Sequence, residues 1–354
     1  MDMSENKVAT ACLVIIVIFL FGFLLKVAKP VLFPFFLAVL FSFVLSPVLD
    51  FLTGIKIPKA ASIMFILLVT FLLIYLLGTV FYASGKDFAS ELPKYGQRLE
   101  SLFQSFQEGL KIVRFDWETF DWVKQLNLGK VGGFLLSSLG PFFSFMANLF
   151  LIFIFLVFIM AGRGQIRPKI QSSFNGTRSG RILGVIENID AQVQRYLAIK
   201  TVVSLFTGIF AAVVLLLWGL DFAIVFGFIT FILNYIPNIG SFIATVFPVA
   251  IALFQFETLW PAIWICLILI LIQQIMGNFV EPRLMGHGLG LSPLLVLFSL
   301  FFWGWLWGIP GMVLAVPITA VIKIVCSNIP ELGFIAALMS KNNRSGAFIK
   351  NADT

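Results

Sequence analysis

Charged residues punctuate this chain at wide intervals. No Asp, Glu, Lys or Arg falls within 8–25, 30–49, 60–85, 131–162, 201–220, 222–256, 258–280 or 284–322. An α-helix needs about 20 apolar residues to cross a hydrocarbon core of about 30 Å, and six of these stretches suit one crossing each. The other two, 222–256 and 284–322, are too long for one crossing and carry Pro and Gly near their middles. The pattern predicts an all-α polytopic membrane protein. It should have about eight transmembrane segments, two of them Pro/Gly-interrupted hairpins that can re-enter from one side.

The polar intervals divide the chain further. Residues 1–83 hold three spans, and 84–140 form an extracytoplasmic amphipathic segment. Within it Phe88, Leu92, Tyr95, Leu99, Leu102, Phe106, Leu110 and Val113 recur at alternating steps of four and three. That 3.5-residue period predicts a helix packing on its own spans, the membrane surface or a neighbouring subunit. Residues 141–161 are the fourth span. The 162–195 loop that follows is basic, and over 162–200 seven basic residues face two acidic ones, against seven and seven over 84–130. Basic short loops stay in the cytoplasm, so both termini are expected there, although Lys26 and Lys29 then fall on the outer side. Residues 196–328 make a transport core, with a cytoplasmic tail over 329–354.

Within that core, Pro237-Asn238-Ile239-Gly240 interrupts 222–256, and Gly304 to Pro310 interrupts 291–322. At 1.5 Å per residue the arms are only about 18–24 Å long. Short interrupted segments of this kind point to broken helices at a transport site. Pro237, Gly240, Gly304, Gly308, Pro310 and Gly311 are the expected tips and hinges, and the substrate pathway is expected between the two segments. Polar groups at membrane depth tend to face a bundle interior or a wet cavity. Asn234, Asn238, Ser241, Gln273, Gln274, Asn278, Glu281, Arg283 and the aromatic Trp303 are therefore the pathway residues. Gln274, Asn278 and Glu281, four and then three apart, should share one helical face. The same polar groups could instead glue helices together. Glu281-Pro282-Arg283 is either an ordinary loop or a gating charge pair.

Composition agrees with a bilayer protein: of 354 residues 60% are hydrophobic and 12% charged, half the usual charge of a soluble domain. The net charge of +7 comes from lysines and arginines scattered between spans, which suits membrane topology rather than nucleic acid. Cys12, Cys266 and Cys326 lie in or beside apolar segments as packing residues. With His287 the one histidine, and with no nucleophile elbow, zinc motif or phosphate-binding loop, no catalytic, metal or cofactor site is expected. The chain reads as a secondary transporter or channel rather than an enzyme or ATP-driven pump.

Four motifs carry a family resemblance. They are Tyr235-Ile236-Pro237-Asn238-Ile239-Gly240; Gly277-Asn278, Glu281-Pro282-Arg283 and Met285-Gly286 running on to Ser292; Phe302-Trp303-Gly304-Trp305-Leu306 with Val316-Pro317; and Tyr196-Leu197 with Lys200-Thr201. Together they resemble the AI-2E family of bacterial membrane transporters, continuously over about 190–325. The resemblance implies a multi-spanning inner-membrane homo-oligomer without ATPase motifs. It implies export of a small polar signal, autoinducer-2, or alternatively sodium/proton antiport as in some relatives, and it carries no catalytic residues. The partners so implied are membrane lipid and a small polar solute, or a cation and proton. Cation exchange needs a titratable carboxylate within the membrane. Asp221, Glu257 and Glu281 all sit at span ends, which favours the signal exporter.

Overall fold

The computed structural model describes residues 3–109, 139–174, 176–286, 289–329 and 332–341. Its helices in order are α1 (Met3–Val27), α2 (Lys29–Gly54), α3 (Lys59–Gly109), α4 (Leu139–Gly162), α5 (Ile166–Ser173), α6 (Gly176–Leu217), α7 (Ala223–Leu233), α8 (Ile239–Gln255) and α9 (Leu259–Gln274). A π-helical turn (Ile275–Val280) then leads into α10 (Glu281–Met285), α11 (Pro293–Trp307), α12 (Ile309–Ser327) and α13 (Gly333–Met339). Among the described residues the only β-type pairing is an isolated bridge between Leu291 and Ser340. The all-α polytopic class is therefore as expected.

The described residues do not confirm the count of eight spans. Five helices among the described residues are long and apolar enough to cross a membrane, or six if α4 and α5, bent by 58°, act as one. Ala223–Leu233, Ile239–Gln255 and Pro293–Trp307 are shorter apolar helices. Two predicted polar intervals are also helical. α3 runs unbroken from its apolar part into the amphipathic stretch, and α6 starts within the basic stretch expected as a loop. A helix satisfies its own backbone hydrogen bonds in water as well as in lipid, so a change from apolar to charged residues need not end it. Leu110 and Val113 of the predicted stripe lie outside the described residues.

The chain divides into two compact units: 1–66 with 148–199 and 285–354, and 67–147 with 200–284. In the first unit Trp307 is fully buried. Its ring lies 5.4 Å from Phe36 and 4.9 Å from Trp303, and its indole N–H donates to the Leu25 carbonyl at 3.3 Å. Lys59 donates to the carbonyls of Ala161 and Arg163 at the end of α4, at 3.0 and 2.7 Å, where a cation meets the negative end of the helix. Lys26, expected on the outer side, places its ammonium 5.1 Å over the Trp305 ring. In the second unit, α6, α7, α8 and α9 close around Ala211, Leu215, Phe226, Ala252, Ile265 and Leu269.

Each unit contains one interrupted hairpin. α7 ends because Pro237 disfavours helical geometry at Ile236, and the chain resumes as α8 after Asn238, whose φ is +61°. The α11–α12 break is the single residue Gly308, at φ +77° and ψ −154°, a region open essentially to glycine alone. The expected tip residue Gly304 instead lies inside α11, with Met312 packed over it. With 19 residues, α12 passes as a full crossing, at about 28 Å. α7, with 11 residues, is about 16 Å.

Candidate functional site

The predicted site residues are divided between the units. Asn234, Asn238, Ser241, Gln273, Gln274, Asn278, Glu281 and Arg283 belong to the second, and Trp303, Gly304, Gly308, Pro310 and Gly311 to the first. Within the second unit the polar chemistry gathers on one face of α6. α6 and α7 meet through small residues: a Cβ on Gly208 would stand 2.6 Å from the Gly227 carbonyl oxygen. Helices in a membrane pack closely where side chains are small, and this crossing brings the neighbouring polar residues within bonding distance.

Three contacts then follow one another along α6. The Asn234 amide donates to the Ser204 hydroxyl at 2.9 Å, with both residues buried. The Tyr235 hydroxyl donates to Thr201 Oγ1 at 2.7 Å. The Lys200 ammonium lies 2.8 Å from both carboxylate oxygens of Glu281. Lys200 and Ser204 are one helical turn apart, so the three contacts form a short polar seam inside an apolar surround. Its formal charge sums to zero. Each neutral contact contributes about 0.5–1.5 kcal/mol net, and each leaves a costly unpaired group if one partner is removed.

Glu281 reaches this seam through a distorted helix. Pro282 lacks an N–H, and its ring would strike the carbonyl four residues earlier in a regular helix. The widened turn Ile275–Val280 precedes it and absorbs that conflict. The wider turn also shifts the register, so the predicted common face splits. Glu281 meets Lys200, while Gln274 and Asn278 are exposed and hydrogen-bond to each other.

The remaining predicted residues are more ordinary. Asn238 is exposed, and its carbonyl accepts from the Ser241 hydroxyl at 2.9 Å. Gln273 is half-buried and Arg283 exposed. Trp303 is buried in the aromatic stack of α11. The sequence reading missed Lys200, Thr201, Ser204 and Tyr235 as site residues. The signal available was that Lys200-Thr201 and Tyr235 stand inside the family-like motifs, with Lys200 directly before a charge-free stretch.

At the other end of the second unit, α3 packs against the turns flanking α7 and α8. Phe88 lies 5.6 Å from Phe222, and Tyr95 lies 6.4 Å from Phe254. Tyr95 donates to Asp221 Oδ2 at 2.9 Å, and Arg98 to the carbonyls of Phe256 and Glu257. For Phe88 and Tyr95 the amphipathic stripe therefore packs within its own chain. A cavity of about 350 Å³ beside it is lined by Ser84, Asp87, Glu91 and Asp221 among apolar residues. No group of three His, Cys, Asp or Glu able to hold a metal occurs among the described residues.

Comparison with known proteins places these features in a lineage. The AI-2E family transporter profile matches residues 13–331. A protein of Borreliella burgdorferi, whose name gives transport and no cargo, is 32% identical over 91% of this chain and 87% of its own. The AI-2 transport protein TqsA of Escherichia coli K12 is 30% identical over 90% of this chain and 92% of its own. YhhT of the same organism, also named for transport without a cargo, is 31% identical over 81% of this chain and 82% of its own.

Proposed function

Because the chain belongs to the AI-2E transporter family, we propose that it is a secondary transporter that exports a small, polar, uncharged solute, with autoinducer-2 as cargo. The proposal includes the bacterial inner membrane, a homo-oligomer and cytoplasmic termini. The observation that carries it is the neutral seam of Lys200–Glu281, Thr201–Tyr235 and Ser204–Asn234. A hydroxyl-rich solute can exchange hydrogen bonds one for one with the two uncharged contacts of this seam, Thr201–Tyr235 and Ser204–Asn234, without itself supplying a charge. Sites built to hydrogen-bond a hydroxyl also reject analogues that lack it. The name of TqsA supports the choice of cargo.

Sodium/proton exchange is the second reading. One observation favours it: Glu281 stands in Leu259–Met285, a helical stretch that contains a segment apolar enough to cross a membrane. Against it, both carboxylate oxygens are already engaged by Lys200. Proteoliposomes holding the purified chain decide between the two. Uptake of labelled autoinducer-2 with no sodium or proton flux supports the first reading, and ion flux without autoinducer-2 movement replaces it with the second.

A further inference from the structure

Among the described residues Lys200 is the one charged side chain that is buried. Its side chain is 6% exposed, and that of its partner Glu281 is 17%. Both stand in helices that contain a segment apolar enough to cross a membrane, Ser179–Leu217 and Leu259–Met285. A pair in such a place is poorly explained by stability alone. Removing two charges from water offsets most of their attraction, and apolar residues of similar volume often serve as well. Buried pairs are better explained where they specify or switch a structure.

The two partners also rest on backbones of different stiffness. Lys200 lies well inside the 42-residue helix α6. Glu281 directly follows the π turn and precedes Pro282, and Gly286 beyond it has φ +60°. π turns and prolines mark the points at which helices bend. The acid is therefore held on a bendable segment and the base on a firm one.

We propose that Lys200 and Glu281 form a latch that opens and re-forms in each transport cycle. α10 swings away from α6 about the π turn, and the contacts at Thr201 and Ser204 beside Lys200 become reachable. Opening separates two charges that are largely buried in the protein, which is tolerated only where water reaches them. Opening of the latch and wetting of the seam are therefore one event. Lys200 and Glu281 act as positioning residues: they set when the solute can exchange hydrogen bonds with Asn234 and Tyr235 rather than binding it themselves. This rests on the transport reading given above.

The full-length chain is reconstituted as wild type, as Lys200→Met, as Glu281→Gln and as the double variant. Wild-type flux of autoinducer-2, sodium and protons settles the cargo by itself. The latch is read as the ratio of variant to wild type for whichever cargo moves. The expected result is a loss of about tenfold or more in both single variants and in the double variant, with the double variant as heat-stable as the wild type. A stable double variant that transports at the wild-type rate makes the pair a packing feature and overturns the latch.

A second measurement needs no variant and is made on the wild type while the cargo identified above is moving. A small membrane-permeant acylating reagent is applied to wild-type proteoliposomes, and modified lysines are read by mass spectrometry. An opening latch lets Lys200 react slowly while Lys94, whose side chain is 62% exposed, reacts fast. Lys200 left untouched after Lys94 is complete means that the pair does not open, and the proposal falls.

Discussion

In both interrupted hairpins a glycine of the second helix lies against a carbonyl of the first. A Cβ on Gly240 would stand 1.7 Å from the Leu233 oxygen, and one on Gly311 would stand 2.1 Å from that of Trp303. Both hairpins are tied at their open ends in the same way. Gln255 accepts from the Asp221 N–H, 34 residues back, at 2.8 Å, and donates to the Gly219 carbonyl. Lys323 donates to the Leu289 carbonyl, also 34 residues back, at 3.0 Å, and to that of Gly290. The linings differ. α7 and its tip offer Asn234 and Tyr235 to partners on α6, whereas α11 buries Trp303 and Trp307 in an aromatic stack. One backbone plan thus serves two purposes: a polar seam where groups can be exchanged, and a dry wedge where they cannot.

The largest test of the shared plan is at the joints. Gly240→Ala and Gly311→Ala each force a methyl group into a backbone oxygen, at a cost of about 3 kcal/mol or more. Both should fail to give monodisperse protein in detergent. If one variant purifies normally, the two joints are not equivalent.

The next test separates the linings. Trp307→Ala should cost about 3–5 kcal/mol and lower the melting temperature, with turnover per folded molecule nearly unchanged. Asn234→Leu leaves Ser204 unpaired at about 1–3 kcal/mol and should lower turnover by about tenfold, well beyond its effect on melting. Asn238→Leu and Asn278→Leu, at exposed positions, should do less. The distinction between seam and wedge is broken if Trp307→Ala and Asn234→Leu shift the same readout.

The smallest effect concerns the contact of Tyr95 with Asp221, beside the Gln255 tie. Tyr95→Phe removes the bond to Asp221 and should cost about 0.5–1.5 kcal/mol without changing cargo. Burial, and then the hydrogen bond to Asp221, raise the Tyr95 phenol above its ordinary pKa. Its folded form thus holds the proton more tightly than its unfolded form. The stabilisation is fully present below the ordinary tyrosine range and is lost only as pH rises through the raised value. Melting curves of wild type and Tyr95→Phe should therefore differ by a constant amount through neutral pH and converge only in strong alkali.

Much of this protein was determined by its sequence alone. The thickness of a bilayer sets how long an uncharged stretch must be, so the membrane class, the apolar spans and the breaks at Pro237 and Gly308 can be read from spacing. The family-like motifs likewise contain Lys200, Tyr235 and Glu281. Only the tertiary structure decided what those residues do. Lys200 meets Glu281 across 81 residues and Ser204 meets Asn234 across 30, and a polar residue considered alone does not reveal its partner. The π turn rotated Glu281 away from the face that regular helical periodicity gave it. Helices α3 and α6 ran on through charged sequence, because charge marks where the bilayer ends, whereas a helix ends where its backbone hydrogen bonds or its packing fail.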